Sequence, residues 1–277
     1  MTKTFLGVPK VSIDDITCDT IALIGSSITS KSYHRTYGQE IAADKIREYS
    51  IEYTGFLDYL GKCIHDWDVV DLGNYNREDI GDVIKEALDR GSRVIVFGGD
   101  HLTTYYTLER IRPDNLIMLD AHFDYAEYRT MKEISHMSTT RLLREKGWKV
   151  TIYGTRGYSS ICEEYQWAKK DEVIIKPWYS ISIPMKDTLE KAKFISIDLD
   201  FFDSLSFPAV RVPEIGGPAI SDFVRDLRET RDFNPIYVDI VEYAPDLDPY
   251  GVYGKAIVAL LIEIIGKIIE SNVKFRK

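Results

Sequence analysis

Three short clusters of acidic and imidazole side chains, each directly behind an apolar β-branched run, constrain this chain more than any other feature. They read Gly-Gly-Asp-His at 98–101, Asp-Ala-His-Phe-Asp at 120–124 and Asp-Leu-Asp-Phe-Phe-Asp at 198–203. The runs ahead of them, 94–97, 116–119 and 194–197, have the length and largely apolar character of buried parallel strands. An open α/β sheet gathers its ligands beyond the carboxyl ends of the strands. Three strand ends therefore deliver carboxylates and imidazoles to one crevice. Crowded carboxylates raise one another's pKa. A multivalent cation removes that cost, so the clusters predict metal.

The spacing sharpens the expectation. Asp120, His122 and Asp124 alternate, and so do Asp198 and Asp200. In an extended segment residues i, i+2 and i+4 share a face, so each cluster is expected to aim its ligands at one place. With His101 this makes six candidate ligands, four carboxylates and two imidazoles. One ion rarely uses so many charged groups, whereas two ions bridged by shared carboxylates do. Two ions about 3.5 Å apart hold a bridging water and lower its pKa toward neutral. Oxygen-rich ligands with a little imidazole suit a hard ion such as Mn²⁺ better than copper or structural zinc. A lone strand-end histidine is more often a satisfied polar residue, and an isolated Asp-x-Asp is a common turn. The ordered set of three separates the metal reading from those alternatives.

Strand and helix patterns alternate along the rest of the chain. Residues 21–24, 69–72, 149–153, 173–175 and 235–240 read as further strands. Helical periodicity covers 39–49, with Ile41, Ala42, Ile46 and Tyr49 on one side, and 76–90, with Ile80, Val83, Ile84, Ala87 and Leu88 on one face. Helices are also predicted at 104–111, 138–146, 160–169, 221–229 and 256–269; the segment 54–68 is ambiguous. The alternation implies right-handed crossovers and a three-layer α/β/α architecture around a mainly parallel sheet. No linker, repeat or low-complexity stretch interrupts it, so residues 1–277 are expected to form a single domain.

Composition excludes several classes. The net charge of −9 and the lack of a basic stripe argue against nucleic-acid binding. Cys18, Cys63 and Cys162 are scattered, without a CxxC or a disulfide framework, which suggests a reducing cytoplasm. The N-terminus lacks a signal-peptide apolar region, and the apolar stretch 256–269 is too short to span a bilayer and carries Glu263 and Lys267.

From about residue 21 to 267 the chain resembles the arginase/agmatinase (ureohydrolase) family, most densely at the three clusters, at Pro-Glu-Ile-Gly-Gly (213–217) and at 241–249. The resemblance implies an arginase-like fold and a hydrolase with two Mn²⁺ per subunit acting on a guanidinium or amidine. It places His101, Asp120, Asp124 and Asp198 on one ion. Asp120, His122, Asp198 and Asp200 fall on the other, with Asp120 and Asp198 bridging. His136 sits where agmatinase-like members carry a proton-shuttle histidine, and Glu242 where the family has the glutamate that pairs with the guanidinium. Homo-oligomers, trimers or hexamers, are usual in that family.

These residues suit the chemistry. A guanidinium carbon is a poor electrophile, so hydrolysis needs a strong nucleophile and a proton for the departing amine. A metal-bridging hydroxide meets the first need. His136, near an unperturbed pKa of ~6.5, meets the second. Asp124 orients the hydroxide, and Glu242 accepts two guanidinium N–H bonds. The ordinary alternatives are a helix start at Ser135-His136 and a solvated strand-end charge at Glu242.

The departures lie at the substrate rim. Ser204 replaces the proline that closes the third motif, Met137 the glycine after the shuttle histidine, and Ala209-Val210-Arg211-Val212 a stretch of small residues. The loop 125–135 lacks an arginase-type Asn/Ser/Thr-rich stretch, which ranks agmatine first, giving putrescine for polyamine synthesis, and urea. If Arg129, Lys132 or Arg211 points inward, a guanidino acid or formimidoylglutamate is favoured instead; the ordinary alternative is that all three are solvated charges. A metal-binding relative without turnover and a binuclear phosphoesterase are the rival classes; the second would want cations facing phosphate, and few are present.

Overall fold

The computed structural model describes residues 3–30, 36–129, 134–180, 184–190 and 192–275, with side chains through residue 272. Among the described residues the chain forms ten strands: β1 Ile21–Ser26, β2 Phe56–Leu57, β3 Lys62–Cys63, β4 Val69–Tyr75, β5 Arg93–Phe97, β6 Asn115–Leu119, β7 Lys149–Thr155, β8 Ile174–Pro177, β9 Phe194–Asp198 and β10 Tyr237–Val241. Eight of them build one sheet in the order β4-β1-β5-β10-β9-β6-β7-β8. Every neighbouring pair in it is parallel. β2 and β3 form a separate antiparallel hairpin.

The strand order places the site. The chain passes from β5 to β6 across a gap later filled by β10 and β9. The carboxyl ends of β5, β10, β9 and β6 are therefore adjacent, and the three clusters and Glu242 follow those four strands. Ligands gather where strand order reverses in such sheets.

The helices are α1 Ala42–Ser50, α2 Ile80–Asp89, α3 Leu102–Leu108, α4 Thr139–Glu145, α5 Cys162–Lys170, α6 Met185–Leu189, α7 Ile220–Glu229 and α8 Val252–Phe275. They cover both faces. Ile95, Phe97, Ile195, Ile197, Val238 and Ile240 pack with α1, α6, α7 and α8. Val94, Val96, Leu116, Met118 and Tyr237 pack on the other face with α2, α3 and α4. Alternate strand residues point to opposite faces, and two apolar layers require a strand that is apolar throughout. The three-layer expectation holds. Along α8, Lys267 is buried without breaking the apolar run, because its Nζ donates to the Arg228 carbonyl (2.8 Å) and to Glu270 (2.7 Å). No helix among the described residues is long and apolar enough to cross a membrane.

Several boundaries differ from the pattern. α2 starts at Ile80 rather than 76, because the Asn76 side chain accepts the Glu78 N–H (2.8 Å) and holds a turn ahead of the helix. Ile41 ends a 3₁₀ turn and is 42% exposed, so it leaves the buried face that Ala42 and Ile46 occupy. The ambiguous segment resolves into the β2–β3 hairpin and a 3₁₀ turn, Ile64–Asp66. The short α6 carries too few residues to display helical periodicity.

Candidate metal centre

All six predicted ligands meet at the carboxyl ends of β5, β6 and β9. His101 opens α3 directly behind β5. Its Nδ1 lies 2.9 Å from Asp124 Oδ2, 3.1 Å from Asp198 Oδ2 and 3.3 Å from Asp120 Oδ2. His122 Nδ1 lies 2.8 Å from Asp200 Oδ2 and 3.7 Å from Asp120 Oδ1. Two groups result, His101/Asp120/Asp124/Asp198 and Asp120/His122/Asp200, each with donor atoms within 4.8 Å of one another. Asp120 is common to both. Asp198, expected to bridge, joins the first group only; its Oδ1 accepts the Asp200 N–H (2.9 Å).

The ligands converge by a route the alternation did not anticipate. Asp120 Oδ1 accepts the His122 N–H (2.6 Å) just as Asp198 accepts that of Asp200. An aspartate that captures the N–H two residues on turns the chain out of the extended state. Residues 199–201 are a 3₁₀ turn, and Asp124 has left-handed backbone, φ 47°. The clusters wrap around the site instead of alternating along a strand.

The donor set fits a pair of divalent cations. His101 Nδ1 and Asp120 Oδ2 are wholly buried and neither has a hydrogen-bond partner. Buried polar atoms are rarely left so. Burial, then the charges of Asp200 and Asp124, push Asp120 up to about 7. Burial and Asp200 likewise raise Asp198. Burial alone would lower His101, but Asp120, Asp124 and Asp198 outweigh it and raise the imidazole well above its usual range. Burial would raise Asp200 as well, yet the adjoining His122 holds it down to about 2. Protons only partly relieve this charge; divalent ions would relieve it fully.

Each imidazole is backed by a serine whose hydroxyl donates to a carboxylate. His101 Nε2 meets Ser196 Oγ (3.2 Å), and that hydroxyl donates to Asp239 (2.6 Å), which also accepts from Tyr237 (2.6 Å). His122 Nε2 meets Ser159 Oγ (2.8 Å), which donates to Glu214 (2.6 Å). With its proton committed, each serine accepts from Nε2–H, so Nδ1 is the ring nitrogen of each imidazole that would bind an ion. Ser196, Asp239, Ser159 and Glu214 were not singled out in the sequence as site residues. Asp239 carried a signal, a charge inside an apolar strand, and Glu214 another, its place in Pro-Glu-Ile-Gly-Gly. Glu214→Gln is expected to weaken the ion held by His122 by roughly 10–100-fold in metal titrations, while leaving the ion at His101 in place. Unchanged affinity at both would show that Glu214 does not orient His122.

The sequence model of the arginase family matches residues 19–266. The chain belongs to the arginase family. It is 26% identical over 271 residues to the mitochondrial guanidino acid hydrolase of Homo sapiens, covering 88% of this chain and 77% of that protein. It is also 26% identical to the agmatinase of Bacillus subtilis, covering 76% of this chain and 79% of that one. The solved structure of proclavaminate amidino hydrolase from Streptomyces clavuligerus superposes with a TM-score of 0.84 at 19% identity, covering 98% of each chain. The last likeness concerns the fold.

In this arginase-family chain His122, Asp124, Asp198 and Asp200 line a cavity of about 100 Å³, together with His136, Glu242, Arg211 and Glu164. Glu242, also in left-handed backbone (φ 70°), accepts the His101 N–H (2.9 Å) and Gln39 Nε2 (3.2 Å). Burial and then Asp100 push it up to about 8. It is thus not a solvated charge. His136 donates its N–H to Ser30 Oγ (3.0 Å), and Ser30 is held by Asp100. Burial and then Arg211 push the imidazole down to about 3 rather than the ~6.5 expected, since its burial depends on the tertiary fold and not on its local sequence. Glu164 went unremarked in the sequence, where it reads as an ordinary first-turn helix residue; burial and then Asp124 raise it to about 7.

The rim residues divide. Arg129 turns outward to Glu145 (2.6 Å) and Glu127 (3.7 Å), its side chain 59% exposed. Lys132 lies outside the described residues. Arg211 and Met137 line the cavity, and Arg211 is half-buried there rather than fully solvated. Ser204, in place of the turn-setting proline, donates its N–H to the Glu214 carbonyl (3.1 Å).

Proposed function

We propose that this chain is a manganese-dependent ureohydrolase that cleaves the guanidinium of a small metabolite into urea and an amine. The observation that carries the reading is the pair of His/Asp groups sharing Asp120, which present His122, Asp124, Asp198 and Asp200 to the cavity that His136 and Glu242 also line. His101, Asp120, Asp124 and Asp198 would hold one ion and Asp120, His122 and Asp200 the other. Bound there, a pair of divalent ions supplies the Lewis acidity that makes water nucleophilic near neutral pH.

The protein's own groups do the rest. Each Glu242 oxygen already accepts one hydrogen bond, and a carboxylate oxygen has room for a second. It therefore receives two N–H groups of the guanidinium, whose charge favours the ionised carboxylate. Asp124 orients the attacking water. Water adds to the guanidinium carbon, the C–N bond to the side-chain nitrogen breaks, and that nitrogen needs a proton. His136 is neutral at rest, so it takes a proton released from the water before passing it to the departing amine.

The test is a panel of agmatine, arginine, 4-guanidinobutanoate and 3-guanidinopropanoate with the Mn²⁺-loaded protein, reading urea and the amine together. Formimidoylglutamate, read by formamide release, completes it. Turnover of one member supports the reading. Silence across the panel with both ions bound would contradict it and favour a family member without turnover.

A further inference from the structure

Resting on the hydrolase reading above, we propose that the substrate carries a carboxylate as well as its guanidinium, and that Arg211 is the group that receives it. Among the described residues Arg211 is the only lysine or arginine lining the cavity. The arginase-like pattern has small residues in this stretch, so the arginine is this chain's own departure. Its loop is fixed in place. The Ala209 carbonyl accepts the Ala244 N–H (2.9 Å), Ser204 and Glu214 are joined through their backbones (3.1 Å), and Ala209 and Val210 are buried. Arg211 Nη1 is itself wholly buried. A guanidinium stays protonated in any protein, so the cavity is lined by a permanent, half-buried cation.

Charge then selects the substrate. The strongest favourable charge on Arg211 comes from Glu242, with Tyr37 and Asp100 behind it. An incoming guanidinium paired with Glu242 brings a second cation into the cavity that Arg211 lines. A carboxylate on the same molecule restores the balance, because it accepts paired N–H bonds from Arg211 in a fork geometry. A dication such as agmatine instead adds two positive charges to a cavity that already has one. Glu164 does not cancel Arg211: the charges beside it are those of Asp124, His122 and Asp120, whereas those acting on Arg211 are Glu242, Tyr37 and Asp100. The agmatine ranking drawn from the loop 125–135 therefore gives way to a guanidino acid.

Agmatine and 4-guanidinobutanoate both have four-carbon chains and differ in the terminal group, which makes them the test pair. With the Mn²⁺-loaded wild type, kcat/KM is expected to favour the acid by about tenfold or more. Arg211→Gly should collapse or reverse that ratio, and Arg211→Lys should keep part of it. A wild type that prefers agmatine, or an Arg211→Gly variant that slows both substrates equally, overturns the assignment. Calorimetric binding of the same two compounds to a Mn²⁺-loaded His136→Ala variant reads the preference without relying on turnover. Acid preference there, with no urea from the wild type, would defeat the hydrolase reading and leave the Arg211 assignment standing. Urea release with no acid preference in either assay would do the reverse.

Discussion

Asp120→Ala is expected to bind neither ion of the proposed pair and, with that, to release no urea. The carboxylate serves two groups at once: Oδ2 faces His101 and its partners, and Oδ1 faces His122. It also holds the turn that presents His122, through the N–H two residues on. The loss should go well beyond the roughly 10–100-fold that follows from disturbing a residue behind a ligand. Asp120→Asn keeps the shape and the turn-forming oxygen but removes the charge, so it separates misfolding from lost affinity. Added Mn²⁺ should raise the melting temperature of the wild type, since an ion at a hundred times its Kd stabilises by about 2.7 kcal/mol. It should do little for Asp120→Ala. A variant that remains metal-replete and active would remove the shared carboxylate from the account.

His136→Ala has the second largest expected effect. Metal at the two groups sharing Asp120 should stay at the wild-type level, because His136 belongs to neither and stands instead with Asp100 and Glu242. Turnover should fall by roughly 10²–10⁴-fold, the usual contribution of a positioned proton-transfer group. The contrast between retained metal and lost rate separates a relay from a ligand. Rate unchanged within error would deny the imidazole any part in proton transfer, and metal lost along with rate would make it a ligand.

The strand ends were legible because both of their signals are local. An apolar run of strand length and the ligand types behind it can be read within ten residues, and β5, β6 and β9 stand where those runs are. The path of each cluster was not legible, since the turns at Asp120 and Asp198 depend on which N–H each carboxylate captures. The support behind the imidazoles was hidden for another reason. Ser196 backs His101 only because β9 and β10 pair in a register that sets it opposite Asp239, 43 residues on. Sheet order decides such contacts, and no short stretch of sequence contains it. The rim arginines make the same point. Arg129 and Arg211 look alike as sequence, yet Arg129 finds Glu145 on a neighbouring helix and turns outward, while the loop of Arg211 is fastened beside Glu242.

Hydrolysis of a guanidinium at a centre of two ions can be followed by urea release from 4-guanidinobutanoate and agmatine as Mn²⁺ is added stepwise to metal-stripped protein. The expected result is no urea without metal, a rate that rises as metal is added and levels off at two ions bound per chain, and no such rise for Asp120→Ala. Two ions bound with no urea from either compound, or urea release that ignores metal, would contradict it.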